Sequence, residues 1–401
     1  SLLIIPFIIK EGVGVTLYEL LHVGLLEYVP FIILLLALFT ISGGVRLTGT
    51  LVGTPIVNLS IILIGTFLAS WMGTTGAAML LIRPLINANK HRKNKVHVIV
   101  FFIFLVANIG GSLTPLGDPP LFLGFLKGVD FFWTTTAMFV PMLIMIFALS
   151  IIFFFLDSYY IKKEGVKVEP QKGKVKLGIE GVFNLGLIIG VIMSVLISGF
   201  WKPHISFEVY SGVHLELQNL TRDILLLILT YVSWTYTPQQ IRKDNEYTWF
   251  PIVEVAKLFA GIFVTIIPAI AILKAGTNGA LSGIINSVSN NGEPVNFMYF
   301  WYTGVLSSFL DNAPTYLVFF NTAGGDPITL MGELSNTLLA ISAGAVFMGA
   351  NTYIGNAPNF MVKSIAESSG VEMPSFFGFL FKWSIPFLVP LFIIVSWIFF
   401  V

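Results

Sequence analysis

Cysteine is absent from the 401-residue chain, and charged residues make up only 11% of it. Without cysteine there is no disulfide framework, thiolate metal site or cysteine nucleophile. Five scattered histidines argue against a zinc site. The net charge of +1 leaves no strongly basic face for nucleic acid. These absences exclude disulfide-rich, thiol-dependent and nucleic-acid-binding proteins.

Long apolar runs dominate the sequence, which is 56% hydrophobic with a mean hydropathy of +0.87. Soluble domains carry about a quarter charged residues, so an ordinary soluble protein is excluded and the lipid bilayer is the expected surrounding. Because about 20 apolar residues span a membrane as a helix, the sequence predicts an all-α polytopic membrane protein with roughly ten helices. The candidate segments are 27–42, 55–70, 96–109, 132–156, 181–201, 221–236, 250–273, 297–310, 336–350 and 376–401.

Several candidate helices are interrupted by glycine, proline, asparagine and threonine. Broken backbone at membrane depth is tolerated only where it is buried in protein or lines a polar cavity, so the interruptions mark the candidate site. Residues 1–9 are apolar too. We interpret them as the stump of an earlier helix and assign 1–24 to an N-terminal segment at the membrane interface.

Loop charges predict the orientation in the membrane. Segment 83–97 holds five basic residues and no acid, and 157–180 holds six lysines, so both are expected in the cytoplasm. Segment 238–249 is expected on the same side. The segments expected to face outward contain acids and at most one basic residue: 202–220, 274–296 and 322–335.

An internal repeat is visible at an offset of 238 residues. Residues 112–122 and 350–360 share the pattern T-x-x-G-[DN]-x-P-x-F, which aligns Asp118 with Asn356. The same offset places Gly73 on Asp311, without a gap, in a second pair of polar breaks. Two related pairs of breaks at one offset predict a duplicated fold.

The two copies are predicted to have opposite orientations. The loop between the breaks is basic in the first copy and acidic in the second, which is typical of inverted-topology repeats with a midplane binding site. We divide the chain into the N-terminal segment, a first repeat, a linker with a cytoplasmic loop and additional helices, and a second repeat. Their bounds are 1–24, 25–156, 157–262 and 263–401.

The prolines after Asp118 and Asn356 are typical of helix starts, so both residues are helix-capping candidates. Capping alone would explain them. The alternative is that a helix starting inside the membrane exposes a dipole end, and that the carbonyls of the preceding segment coordinate a hard cation. Both interpretations can hold together.

Asp118 and Asp311 are the acids lodged in the apolar segments at these breaks, and none of the four breaks contains lysine or arginine. A charge at a helix centre costs about 2.5–3.5 kcal/mol on insertion scales, so such acids are functional candidates. Two carboxylates among hydroxyls and amides suit a small cation or a proton, and do not suit a bare multivalent anion. For the neutral residues, interhelical hydrogen bonding is an equal alternative.

The predicted ion-binding residues are Thr74, Thr75, Asn108, Ser112, Thr114, Gly117, Asp118, Asp311, Asn312, Thr315, Asn351, Thr352, Gly355 and Asn356, with Asn359 as a further oxygen donor. Those expected to ligate Na⁺ directly are Thr114, Asp118, Asp311, Asn312 and Thr352. A carboxylate that binds sodium when ionised and a proton when neutral couples the two ions. Asp311, whose repeat partner is a glycine, is the first candidate for this proton coupling, and Asp118 is the second.

The same breaks resemble the motifs of NhaD-type sodium/proton antiporters in the ion transporter superfamily, which also contains sodium/dicarboxylate symporters, citrate carriers and arsenite pumps. A closely similar branch is labelled as citrate transport. The motifs are Gly73-Thr74-Thr75-Gly76-Ala77, Asn108-Ile109-Gly110-Gly111, Thr114-Pro115-Leu116-Gly117-Asp118-Pro119-Pro120, Asp311-Asn312-Ala313-Pro314-Thr315 and Asn351-Thr352-Tyr353-Ile354-Gly355-Asn356.

The resemblance implies inverted repeats with two re-entrant hairpins, near 66–86 and 304–322, and broken helices near 108–120 and 350–358. It also implies a scaffold domain that forms a homodimer and a transport domain that moves like an elevator. The carboxylate symporters carry Ser-Asn-Thr at both hairpin tips. This chain has Gly-Thr-Thr and Asp-Asn-Ala there, which disfavours a dicarboxylate.

The expected function is exchange of Na⁺ or Li⁺ for H⁺ in the inner membrane of a bacterium, with no enzymatic activity and no cofactor. A sodium-coupled citrate or dicarboxylate symporter is the alternative. An intramembrane aspartyl protease fits poorly, because Pro115 stands where the G-x-G-D pattern requires a glycine. A non-transporting structural subunit is a further alternative.

Overall fold

The computed structural model describes residues 4–165, 176–274, 282–290 and 292–401. Helices make up most of this part of the chain, and three short antiparallel ribbons accompany them. The strand pairs are β1 Arg46–Thr48 with β2 Gly178–Glu180, β3 Ser206–Tyr210 with β4 Val213–Glu216, and β5 Ser289–Asn290 with β6 Glu293–Pro294. The ribbons connect helices and contribute no sheet to the core.

The N-terminal region is helical from Ile4 to Ser42, but it is kinked at Gly12, whose φ of 86° and ψ of 163° are not helical. It consists of α1 Ile4–Val23, a π-helical stretch Gly24–Tyr28 and α2 Val29–Ser42. The π-helical residues keep right-handed helical geometry on both sides, so the chain does not break where the sequence predicted a boundary. Residues 1–3 lie outside the described residues.

Five helical segments of the described chain are long and apolar enough to cross a membrane, and a bent pair makes a sixth. They are Ile4–Ser42, Pro55–Met72, Phe131–Glu164, Val182–Phe200, Phe250–Ile272 and the pair Phe376–Phe387 with Val389–Phe399. The other predicted segments form shorter or more polar helices. The prediction of an all-α polytopic membrane protein is confirmed, and several of the roughly ten expected helices are interrupted or short, as their glycine, proline and polar residues indicate.

The first repeat contains a helical hairpin made of α3 Pro55–Met72 and α4 Thr74–Ala88, which pack against each other. Gly73 forms its tip with φ 80° and ψ 148°, a left-handed conformation that favours glycine. The hairpin is longer than the predicted 66–86, since its two arms begin and end near the basic loop.

The second repeat contains the matching hairpin, α13 Asn296–Leu310 and α14 Asn312–Thr322. Its tip is Asp311, with φ 79° and ψ 143°. The two tips therefore have the same backbone geometry, although only the first is a glycine. This hairpin is also longer than its predicted range of 304–322.

Each repeat also contains a helix that is broken in the middle. In the first, α5 Val96–Leu105 leads through a 3₁₀ turn Ile109–Ser112 to α6 Pro119–Leu126. In the second, α16 Ser335–Met348 leads through a 3₁₀ turn Gly349–Asn351 to α17 Ala357–Ser368. These breaks cover the predicted positions near 108–120 and 350–358.

The remaining helices surround the hairpins and broken helices or cap their ends. They are α7 Phe131–Glu164, α8 Val182–Phe200, α9 Leu217–Tyr236, α10 Gln239–Asp244, α11 Phe250–Lys274, α12 Ser282–Val288, α15 Pro327–Met331, α18 Phe376–Phe379, α19 Ile385–Phe387 and α20 Val389–Phe399, with a π-helical stretch Leu380–Ser384 between α18 and α19. Helix α11 contains a proline, Pro268, inside its length.

The repeats interlock rather than standing side by side. Helix α4 of the first hairpin packs against α17 of the second broken helix, and α14 of the second hairpin packs against α6 of the first. Helix α5 lies at the centre of the core, where Phe101, Phe102 and Phe104 are fully buried. This exchange of partners brings all four breaks to the middle of the molecule.

The loops predicted to be cytoplasmic lie on one side of the molecule. The Arg83 guanidinium pairs with Glu246 at 2.8 Å, and the backbone N–H of Asn94 donates to Glu164 at 2.7 Å. Loop 83–97 thus touches both 157–180 and 238–249, as one membrane face requires. Residues 166–175 of that second loop, and 275–281 and 291 of an outward-facing one, lie outside the described residues.

Candidate ion-binding site

The tip of the first hairpin is hydrogen-bonded to the broken helix that follows it. The Thr114 hydroxyl donates to the carbonyl of Ser70, and the Ser70 hydroxyl donates to the carbonyl of Gly110 at 2.5 Å. The backbone N–H of Thr74 donates to the carbonyl of Gly117 at 2.9 Å. These bonds satisfy backbone groups that the two breaks would leave unpaired in lipid.

Equivalent bonds occur 238 residues later. The Thr352 hydroxyl donates to the carbonyl of Ser308, and the Ser308 hydroxyl donates to the carbonyl of Met348 at 2.9 Å. Each of these atoms corresponds to one in the first repeat at the same offset. The internal repeat read from the sequence is therefore present in the hydrogen bonding as well.

Two predicted site residues, Gly117 and Gly355, are glycines because the backbone folds back on itself. A Cβ at Gly117 would overlap the carbonyl of Gly111, and one at Gly355 would overlap the carbonyl of Gly349. Each residue therefore shapes its break through close backbone approach. Gly117 also lies on the wall of the central cavity.

Asp118 is the residue on which the breaks converge. It stands at the N-cap position of α6, but its side chain makes no capping hydrogen bond. Its buried carboxylate accepts instead from the Thr74 hydroxyl at 3.2 Å, the Asn356 amide at 2.8 Å and the Asn312 amide at 2.5 Å. Capping is thus not the role of this side chain, which meets residues from the other three breaks.

A network of buried amides joins the two broken helices. The Asn108 side-chain NH₂ group donates to Asn359 at 2.7 Å. The Asn356 NH₂ group, also at an N-cap position without a capping bond, donates to the carbonyl of Ala107 at 3.1 Å and to Asn108 at 3.3 Å. Interhelical hydrogen bonding is therefore what these asparagines visibly do.

Asp311 holds its place at the second hairpin tip by local bonds. Its carboxylate accepts from the backbone N–H of Ala313 at 3.1 Å, and its carbonyl accepts from the Thr315 hydroxyl at 2.8 Å. The side chain is buried and borders the same cavity as Asp118. The two predicted carboxylates thus share one cavity.

Two buried side-chain oxygens at the breaks have no hydrogen-bond donor, Oδ1 of Asn312 and Oδ1 of Asn351. The Asn312 amide is already fixed by donation to Asp118. The Asn351 amide donates to Ser308 at 3.0 Å. A buried carbonyl oxygen without a donor is costly unless something else binds it, and a cation would do so.

The other predicted residues hold the breaks together. The hydroxyls of Thr114 and Thr352, expected as sodium ligands, bond to the hairpin carbonyls and accept the N–H groups of Leu116 and Ile354, each at 3.2 Å. Ser112 donates to Ile109 within its own turn. The predicted residues that line the cavity are Thr74, Thr75, Gly117, Asp118, Asp311 and Asn356.

The cavity beside the two aspartates has a volume of about 480 Å³. Apolar side chains of α2, α11 and α17, such as Phe31, Phe259 and Met361, form much of its wall. It extends to Arg83 and Glu246 at the face predicted to be cytoplasmic. This path gives the site access from one side of the membrane.

A second buried polar cluster lies at the base of the first hairpin, and the sequence did not reveal it. The Asp157 carboxylate accepts from Arg92 at 2.5 Å and from Asn58 at 2.9 Å, and lies 2.7 Å from Nε2 of His97. All four side chains are buried. Arg92 belongs to segment 83–97, which is expected in the cytoplasm, and no local pattern links it to Asp157, 65 positions away in sequence.

Comparison with known proteins agrees with the architecture. The family model described as "Putative citrate transport" matches residues 1–400. No curated protein matches the chain. A match over nearly the whole length, to a chain built from apolar helices and paired breaks, shows that the chain belongs to this citrate transport family of multi-pass membrane transporters.

Proposed function

We propose that the protein is a secondary transporter that exchanges Na⁺ or Li⁺ for H⁺ at the site of Asp118 and Asp311. The single observation that carries this proposal is the environment of Asp118, whose carboxylate meets Thr74, Asn312 and Asn356 from the other three breaks. A site assembled from both repeats fits a midplane site in an inverted-repeat transporter.

The chemistry of the site favours a hard cation. Asp118 and Asp311 supply carboxylate oxygens, Asn312 offers an unpaired carbonyl oxygen, and the four breaks contain no lysine or arginine. Oxygen ligands of this kind suit small hard cations. At the breaks, a multivalent anion would meet two carboxylates and no fixed positive charge.

Protons bind to the same carboxylates. A sodium ion binds them only when they are ionised, so protonation of Asp311, or of Asp118, releases the sodium. Because Na⁺ and H⁺ cannot occupy these carboxylates together, a single binding site is enough to exchange the two ions. We extend the proposal to an elevator-type movement, a homodimeric scaffold and a location in the inner membrane of a bacterium.

The test is ion exchange in proteoliposomes that contain the purified protein. An imposed pH gradient is expected to drive ²²Na⁺ flux, and external Na⁺ or Li⁺ is expected to release protons from acid-loaded vesicles. Asp311→Asn is expected to abolish both signals, while Thr322→Ser, at the far end of the same hairpin, leaves them unchanged. The variants are compared with the wild-type protein. A pH gradient that drives no sodium flux through the wild-type protein would refute the proposal.

Sodium-coupled citrate symport is the second candidate, and the family match favours it. The cavity of about 480 Å³ has room for a small carboxylate, and Arg83 lies on its wall. Bound sodium would have to supply the positive charge that the breaks lack. Citrate uptake that requires sodium and survives Asp311→Asn would support symport over exchange.

A further inference from the structure

The cavity has a mouth whose charge is set by one ion pair. Its lining contains one arginine, Arg83, and four acids, of which Asp118 and Asp311 lie at the breaks, and Glu246 and Glu254 lie nearer the entrance. The Arg83 guanidinium lies 2.8 Å from the Glu246 carboxylate. This pair joins the first hairpin to the loop between α10 and α11.

Arg83 is positioned to oppose cation entry if it is left unpaired. It follows Thr74 by nine residues on α4, which places its backbone roughly 13 Å along the helix from the hairpin tip. Its side chain is only 19% exposed, so water screens its charge incompletely. An uncompensated guanidinium there would repel a cation on its way to the two aspartates.

Glu246 is held in place by its neighbours rather than by its own packing. The buried Asn245 amide donates to the carbonyls of Gly43 at 3.0 Å and Val45 at 2.8 Å. On the other side, the Tyr247 ring packs on Phe39, with ring centroids 5.1 Å apart. Both flanking residues are thus fixed to the end of α2.

Glu246 follows the C-terminal end of α10 in a left-handed backbone conformation, with φ 49°, and its N–H donates to the carbonyl of Lys243 at 2.9 Å. Glycine or asparagine adopts this conformation at lower cost than glutamate. The side chain is 70% exposed, and an exposed ion pair adds little to stability. The local backbone therefore favours glycine or asparagine, and what the glutamate supplies in their place is a negative charge beside Arg83.

We propose that Glu246 is a specificity-determining residue that neutralises Arg83 at the cavity mouth and so keeps the entrance open to cations. The proposal rests on the proposed function of the site. With Glu246 present, the lining near the mouth carries one basic side chain, Arg83, and two acidic ones, Glu246 and Glu254. Without it, the entrance carries a free guanidinium.

The test compares single and double variants in proteoliposome exchange. Glu246→Gln is expected to raise the Na⁺ concentration for half-maximal rate about three- to tenfold, with the maximal rate unchanged, because entry is affected and the site is not. Adding Arg83→Gln to this variant is expected to restore the wild-type value. The rise is also expected to shrink when choline chloride increases the ionic strength.

Glu180→Gln is the matched control. Glu180 pairs with Arg46 at 3.2 Å on the same face of the molecule but does not belong to the residues that line the cavity. Its half-saturating Na⁺ concentration should equal that of the wild type. Thermal melting of each variant verifies that the fold is intact.

Two outcomes would overturn the inference: an unchanged half-saturating Na⁺ concentration in Glu246→Gln, or an equal rise in Glu180→Gln. Both are read against an active wild type. A wild type that exchanges no sodium refutes the proposed function itself, so the two failures are distinguishable.

Discussion

The two hairpins have the same backbone geometry at their tips. They differ at the base, which is the open end of each hairpin opposite its tip. At the base of the first, Asp157 gathers Asn58, Arg92 and His97 into a buried charged cluster. The second repeat has buried apolar residues at two of the corresponding positions, Leu330 for Arg92 and Val395 for Asp157, and a serine, Ser335, for His97.

One polar contact remains at the second base. Asn296, which corresponds to Asn58, accepts from the Thr337 hydroxyl at 2.7 Å. The tips nevertheless coincide, with φ 80° at Gly73 and φ 79° at Asp311. The comparison teaches that the tip geometry comes from bonds to the adjacent broken helix, whereas the base can be fixed by either charge or apolar packing.

The largest effect is expected from exchanging the two helix-start residues. Asp118→Asn removes the charge that three side-chain donors surround, so the cation-dependent rise in thermal midpoint should vanish and transport should fall about 100-fold or more. The double variant Asp118→Asn/Asn356→Asp returns one carboxylate to the equivalent position. It should recover part of the transport rate, and a double variant no better than the single would show that the repeats are not interchangeable here.

The second prediction concerns variants in which apolar residues of the second repeat replace charged residues at the base of the first hairpin. Asp157→Val leaves Arg92 buried, with Glu164 4.0 Å away as the remaining acid, and should cost about 3–5 kcal/mol. The double variant Arg92→Leu/Asp157→Val introduces the residues of the second repeat at these two positions and should recover most of that loss. Thermal midpoints in detergent measure both effects.

The order of the thermal midpoints of these variants shows whether charge or apolar packing fixes the base of the first hairpin equally well. A double variant that melts below Asp157→Val would show that the charged cluster stabilises the first hairpin beyond mutual compensation of its charges. Leu330→Val provides a control for a small volume change at the equivalent buried position of the second repeat.

The third prediction concerns the backbone strain at Asp311. Asp311→Gly makes the second tip like the first and removes a left-handed conformation that costs a non-glycine residue about 1–3 kcal/mol. After the entropic cost of glycine, stability should rise by about 1 kcal/mol while exchange is lost. Gly73→Ala should lower stability instead, because alanine is strained at the positive φ of this position. A Cβ there meets only ordinary contacts at 3.4 Å and 3.5 Å, so this backbone strain is the whole effect. A lower thermal midpoint for Asp311→Gly would contradict this account.

The smallest effect is expected in the loop after the second hairpin. The hydroxyl and backbone N–H of Thr329 hold the pKa of the exposed Asp326 carboxyl below its ordinary value. A lowered pKa means that the stabilisation is present above the ordinary value and is lost as pH falls through the lowered one. Asp326→Ala should therefore melt slightly below wild type at neutral pH, and a gap that widens in acid would contradict this cause.

Much of the architecture could be predicted from the sequence because the repeat is visible as short local patterns. The offset that aligns Asp118 with Asn356 also aligns Gly73 with Asp311, and the structure places all four at helix breaks. Apolar runs and prolines are local signals, so the paired hairpins and broken helices follow from them.

The remainder depends on contacts between distant segments. Nothing near Thr114 or Thr352 in sequence indicates that their hydroxyls bond to a hairpin carbonyl, and both resembled sodium ligands. The cluster at Asp157 joins residues up to 99 positions apart. The ion pair of Arg83 with Glu246 spans 163 positions, so the charge at the cavity mouth could not be read from either loop alone.

The bonds between each hairpin tip and its neighbouring broken helix restrict how the pocket can exchange its contents. Since Ser70 and Thr114 are tied together, as are Ser308 and Thr352, neither tip can swing away like a hinged lid without leaving polar backbone bare in hydrocarbon. In the proposed elevator-type movement, each tip and its broken helix would therefore travel as a single piece past the outer helices.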